Sequence, residues 1–97
     1  MKAYELLVIF NPTLSEDDRA AALERATKLV GDGGSVIDEV NEWGKQKLAY
    51  EINKIKDGDY VLFDFHANPE HVAEIDRVLR ITDTVVRFMM VRREDKD

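Results

Sequence analysis

The 97-residue sequence has no cysteine and only two histidines, His66 and His71. Without thiols, neither a disulfide framework nor a thiolate metal site is possible. No apolar run approaches the roughly 20 residues that cross a bilayer as a helix. The apolar stretch Leu6 to Phe10 is too short for a signal peptide and has no small-residue cleavage site after it. A soluble cytoplasmic protein with no membrane contact is therefore expected. The two histidines, with Asp64, Glu70 and Glu74 nearby, match no zinc spacing, so no metal and no cofactor is expected. No serine sits in a nucleophile pattern. Gly31-Asp32-Gly33-Gly34 lacks the lysine-hydroxyl pair and following helix of a phosphate loop and reads as a turn. An acyl-phosphate hydrolase using Arg87 would need a phosphate cradle, which the turn Asn11-Pro12-Thr13 does not supply. Neither an enzyme nor a small-molecule substrate is expected.

Apolar residues make up 44% of the chain and charged residues 35%, the balance of one globular domain over 1–97, with a frayed, charged tail from about 93. A net charge of −6 argues against a protein that coats nucleic acid nonspecifically. The charge is uneven, however. Residues 1–44 hold 4 basic and 9 acidic side chains, whereas residues 45–97 hold 10 and 11. Cations gather at Lys45, Lys47, Lys54 and Lys56, and again at Arg87, Arg92 and Arg93. An acidic chain can thus still present a locally basic surface.

Periodicity gives the elements. Ala3 to Phe10 reads as a strand with Leu6, Val8 and Phe10 on one face and Ala3, Glu5, Leu7 and Ile9 on the other. Ser15 is an N-cap followed by three acids, and Ala22, Leu23, Ala26 and Val30 form a helical stripe that runs to about Val30, with Gly31 placed as the C-cap. Ser35 to Ile52 is a second strand, longer than usual, whose imperfect alternation predicts a bulge as well as a bend at Gly44. Asn53 to Asp59 reads as a polar loop turning at Gly58. Tyr60 to Ala67 is a third strand, with Val61, Phe63 and Phe65 facing the core. Asn68-Pro69-Glu70 opens a second helix whose stripe is Val72, Ile75 and Leu79, with Asp76 and Arg80 placed to pair. Thr84 to Arg92 is a fourth strand.

This order predicts an α+β, ferredoxin-like split βαβ fold (βαββαβ). Its four-stranded antiparallel sheet has strands one and three at the centre, and both helices lie on one face. The other face is left bare. It carries Leu7, Ile9, Tyr60, Leu62, Met89 and Val91 with Glu5 and Arg87 among them, and an apolar patch of that kind marks an interaction surface. Only Tyr60 is placed to stack a base there, too few for an RNA-recognition platform of aromatics.

The most distinctive stretch is Glu42-Trp43-Gly44-Lys45-Gln46-Lys47-Leu48-Ala49-Tyr50, with Ile52 two residues on. Tyr4-Glu5, Asn11-Pro12, Tyr60, Leu79-Arg80-Ile81 and Val86-Arg87-Phe88-Met89 accompany it. Together these residues resemble the family of the sixth protein of the bacterial small ribosomal subunit, and the match spans nearly the whole chain. The resemblance implies a non-enzymatic ribosomal protein that binds the central domain of small-subunit ribosomal RNA together with the eighteenth protein of that subunit. Lys45 and Lys47 match the family's basic pair after the glycine, here separated by Gln46, and Arg87 matches its strand-four arginine. Glu51 stands where many members carry proline, Ala3 replaces a second basic or histidine position, and the long acidic tail of some members is missing.

Two sets of contacts are expected on this reading. Lys2, Lys45, Lys47, Lys54, Arg87, Arg92 and Arg93 contact phosphates without reading sequence. Leu7, Leu48, Tyr50, Tyr60, Leu62 and Met89 dock the protein partner. A competing class on the same fold is a homo-oligomeric small-ligand or isomerase-type domain that pairs open faces into a barrel. A regulator that binds messenger RNA is a third.

Overall fold

The computed structural model describes the backbone of residues 1–52 and 55–97 and the side chains of residues 1–46 and 57–97. The order of elements is β1 (Lys2–Phe10), α1 (Glu16–Gly31), β2 (Val36–Ile52), β3 (Ile55–Ala67), α2 (Pro69–Arg80) and β4 (Val85–Arg92), followed by a 3-10 turn at Glu94–Lys96. The strands form one antiparallel sheet in the order β2-β3-β1-β4, as the ferredoxin-like pattern requires. No helix among the described residues is long and apolar enough to cross a membrane.

The core is the one that alternation predicts. Leu6, Val8 and Phe10 of β1 and Val61, Phe63 and Phe65 of β3 are buried under Ala22, Ala26 and Val30 of α1 and Ile75 and Leu79 of α2. The small residues on α1 let that helix lie close to the sheet, while the phenylalanines fill the space below. Burial of each large apolar side chain contributes about 1.5–3 kcal/mol relative to leaving it in water. Phe88 and Met90 of β4 pack at the margin of this core.

The helix ends follow local chemistry, with two corrections. Ser15 caps α1, its hydroxyl accepting from the Asp18 amide at 3.1 Å, and three acids follow in the first turn. Gly31 does not cap the other end. It is the last helical residue, and the left-handed backbone falls at Gly33 and Gly34 (φ 68° and 78°). A Cβ at Gly33 would lie 2.7 Å from His71 Nδ1. His71 is held there because its Nε2–H donates to the Leu29 carbonyl at 2.8 Å, tying α2 to the end of α1. Asn68 occupies the N-cap position of α2, yet its side chain makes no capping bond. Pro69 and Glu70 carry the start instead. Asp76 and Arg80 pair at 2.7 Å, one turn apart.

β2 carries the bulges that its sequence suggests. Its register against β3 shifts between Ile37 and Glu39 and again between Glu42 and Gly44, where Gly44 has φ 77°. β3 begins at Ile55 rather than Tyr60, so the stretch read as a polar loop is mostly strand; Asn53 and Lys54 lie outside the described residues. Asp57, Gly58 and Asp59 are ladder partners of Lys47, Gln46 and Lys45. The long β2 needs those backbone partners, because unpaired amides and carbonyls are costly wherever water is excluded. β1 stops at Phe10, opposite Asp59. Beyond that point β2 and β3 pair only with each other and form a ribbon that outruns the sheet.

Candidate nucleic-acid and protein interface

The sheet face opposite the helices is organised in rows set by strand register. Leu7 lies between Leu62 of β3 and Met89 of β4. One row along, Ile9 lies between Tyr60 and Arg87, and in the other direction Glu5 lies between Asp64 and Val91. Met89 is 45% exposed and Val91 44%. Trp43, the extra residue of the second bulge, stacks on Tyr60 with ring centroids 6.1 Å apart and planes 12° from parallel, and is itself 47% exposed. Leu7, Tyr60, Leu62 and Met89 are therefore brought together, and Trp43 extends their apolar band onto β2. Trp43 is absent from the sequence-based site because a bulge breaks the period of two, so its face could not be counted from its neighbours. The side chains of Leu48 and Tyr50, the other two expected partner contacts, lie outside the described residues.

The expected cations fall into two groups at opposite ends of the sheet. Lys45 is exposed at the root of the ribbon, and Arg87 is exposed in the row of Tyr60. Lys47 is on the ribbon strand and Lys54 lies near its tip in sequence, but the side chains of both are outside the described residues. Lys2 is at the far end of β1, opposite Ala67 and about 25 Å away at 3.4 Å per strand residue. Arg92 and Arg93 share that far end, and both are engaged within the chain. Arg92 sits 5.5 Å over the Tyr4 ring, donates to the Ala3 carbonyl at 2.9 Å and forms a two-pronged ion pair with Asp97. Arg93 donates to Glu5 at 2.6 Å and to Asp95 at 3.0 Å.

These contacts replace the expected frayed tail with a folded one. The guanidinium of Arg92, and then the amide of Ala3, hold the Asp97 carboxyl down to about 2. A carboxyl lowered in the folded state stabilises it fully above its unfolded value, 3.8 for Asp97, and that contribution fades as pH falls toward about 2. In a pH titration followed by NMR, the Asp97 carboxyl carbon should move with a midpoint near 2. A midpoint near 3.8 would mean that the tail is undocked.

Arg19, on α1, anchors the root of the ribbon. Its Nε donates to Asp59 Oδ2 at 2.5 Å, and its Nη2 donates to Asp59 Oδ1 at 3.3 Å and Glu42 Oε1 at 3.0 Å. Asp59 is buried and belongs to β3, whereas Glu42 belongs to β2, so one guanidinium grips both strands just where β1 ends. Hydrogen bonds from Asp59 first and Glu42 second raise the Arg19 pKa further, so its charge is permanent. Nothing local in the sequence signals a contact across 40 residues.

Among the described residues no cluster of three or more histidine or acidic side chains is arranged to hold a metal. Residues 3–92 match the sequence profile described as ribosomal protein S6. The chain belongs to the ribosomal protein S6 family. It is similar to the small ribosomal subunit protein bS6 of Clostridium novyi (strain NT), with 49% identity over 94 residues covering 97% of this chain and 99% of the relative. The bS6 protein of Clostridium botulinum (strain Hall) is 45% identical over 94 residues, covering 97% and 100%. Among solved structures, the 30S ribosomal protein S6 from Thermotoga maritima superposes with a TM-score of 0.91 at 31% identity, over 98% of this chain and 90% of that one. The family resemblance and the ferredoxin-like fold read from the sequence are both borne out. S6 proteins are structural components of the ribosome rather than enzymes, which sets aside the isomerase reading, and in bacteria the ribosome is cytoplasmic.

Proposed function

We propose that the protein binds the central domain of small-subunit ribosomal RNA as one half of a pair with the eighteenth small-subunit protein. The observation that carries this reading is the apolar band of half-buried Leu7, Leu62 and Tyr60 and exposed Met89 and Trp43, lying beside a lysine-bearing ribbon. The band suits a protein partner, with Leu48 and Tyr50 as further contacts. The ribbon suits phosphates, through Lys45, Lys47 and Lys54, with Arg87 beside it. Lys2 serves at the far end of β1, and Arg92 and Arg93 contact phosphate by exchanging a carboxylate partner for it. The division accounts for an RNA-binding protein of net charge −6: its own field opposes the RNA, and the partner supplies what it lacks.

Filter binding with and without the partner tests this. The isolated protein is expected to bind weakly, with a large gain on adding the partner. Lys45→Ala should weaken the joint complex and reduce the slope of log affinity against log salt by about 0.9, one phosphate contact. Tight RNA binding by the isolated protein, with no gain from the partner, would overturn the proposal.

A further inference from the structure

The folded C-terminus lies on the same sheet face as the apolar band. The Arg93 amide donates to the Ala3 carbonyl at 2.9 Å, and the Asp97 carboxylate accepts from the Ala3 amide at 2.8 Å. Between these two anchors the 3-10 turn crosses the face. His66 Nε2 meets the Lys96 carbonyl at 3.1 Å, Arg93 meets Glu5, and Lys96 Nζ lies 3.9 Å from Asp64. Glu5, Asp64 and Glu39 are in register across three strands, and like charges directly opposite one another destabilise a sheet. Arg93 and Lys96 offset that repulsion. Asp64 Oδ1, buried and without a hydrogen-bond partner, faces Lys96 at the loosest of these contacts. The tail is therefore held by many contacts, most of them partly solvated, which suits a segment that is closed but can be opened.

The row it covers is next to the Leu7 row. Strands lie about 4.8 Å apart and alternate residues about 6.8 Å, so two rows across the four strands span roughly 260 Å², against about 800 Å² per partner in a standard interface. A protein seated on the band must overrun its edge, and the Glu5–Asp64 row is one of its two neighbours along the strands. We propose that residues 94–97 form an autoinhibitory strap, closed on the open face in the free protein and released when the protein partner docks. This rests on the partner reading above.

Two measurements test it. By calorimetry at fixed salt, Asp97→Ala, which removes the anchor, should bind the eighteenth small-subunit protein about five-fold more tightly than the parent, because the binding-competent fraction rises. By amide exchange, the Ala3 N–H should exchange faster in Asp97→Ala, and also faster in the parent once partner is added, the reverse of the protection that docking gives elsewhere. Equal or weaker binding of the variant, or slower Ala3 exchange on adding partner, would overturn the strap. If neither protein binds the partner, the partner reading fails. The closed tail is then judged by exchange in the free proteins, where an unchanged Ala3 rate in Asp97→Ala overturns it as well.

Discussion

Arg19→Met is expected to lower the stability of the fold by about 3 kcal/mol, the cost of leaving a buried carboxylate without its cation. Asp59 is 2% exposed, and Arg19 is its ion-pair partner on α1. Methionine fills the volume of the arginine stem but cannot donate, so the Asp59 charge stays in a site that excludes water. Glu42 shares the same guanidinium but is half exposed, and Glu42→Gln should stay within about 0.5 kcal/mol of the parent. The double variant Arg19→Met/Asp59→Leu should recover most of the loss, because an apolar pair of similar size replaces an ion pair at little net cost. Urea unfolding with an unchanged denaturant slope checks all three. A loss below about 1 kcal/mol in Arg19→Met would show that the ribbon root does not depend on this grip.

The second large effect is on assembly. Met89→Glu is expected to weaken association with the eighteenth small-subunit protein at least about a hundredfold, while stability stays within about 0.5 kcal/mol. Met89 stands almost half exposed in the row of Leu7 and Leu62, so the fold tolerates a carboxylate there as long as water reaches it. A docked partner removes that water and leaves the charge between Leu7 and the apolar surface seated on it. Ile81→Glu is the control, since Ile81 is 71% exposed just beyond α2, outside this band. Calorimetric titration of each variant with the partner decides the matter. Unchanged affinity in Met89→Glu would remove the band from the interface.

The parts of this architecture that could be read from the sequence share one property: the signal is local and periodic. Leu6-Val8-Phe10 and Val61-Phe63-Phe65 alternate cleanly because one face of each central strand is wholly buried. The acids after Ser15 and the proline after Asn68 mark helix starts by chemistry confined to one turn. Where the signal was misleading, burial or pairing had been set from afar. Asp57, Gly58 and Asp59 have loop-like composition, yet β2 recruits them as a strand, and Asp59 is buried only because α1 delivers Arg19 to it. Trp43 changes face through a bulge that alternation cannot follow. The run Arg93 to Asp97 reads as a solvated end, but three of its charges meet opposite ones outside the run: Arg93 with Glu5, Lys96 with Asp64 and Asp97 with Arg92. Of the proposed site, the grouping of Leu7, Tyr60, Leu62 and Met89 on one face followed from parity alone. The division of the cations into two distant groups needed the sheet order.

A final consequence concerns β3. From Asp59 to His66 it is flanked on both sides, by β1 and by β2, whereas at Asp57 and Gly58 it has β2 alone. One continuous strand thus passes from the best-protected backbone in the molecule to a stretch whose opening breaks a single ladder. A pull on the ribbon is therefore borne by one ladder, while Val61, Phe63 and Phe65 sit in the doubly paired segment of the same strand.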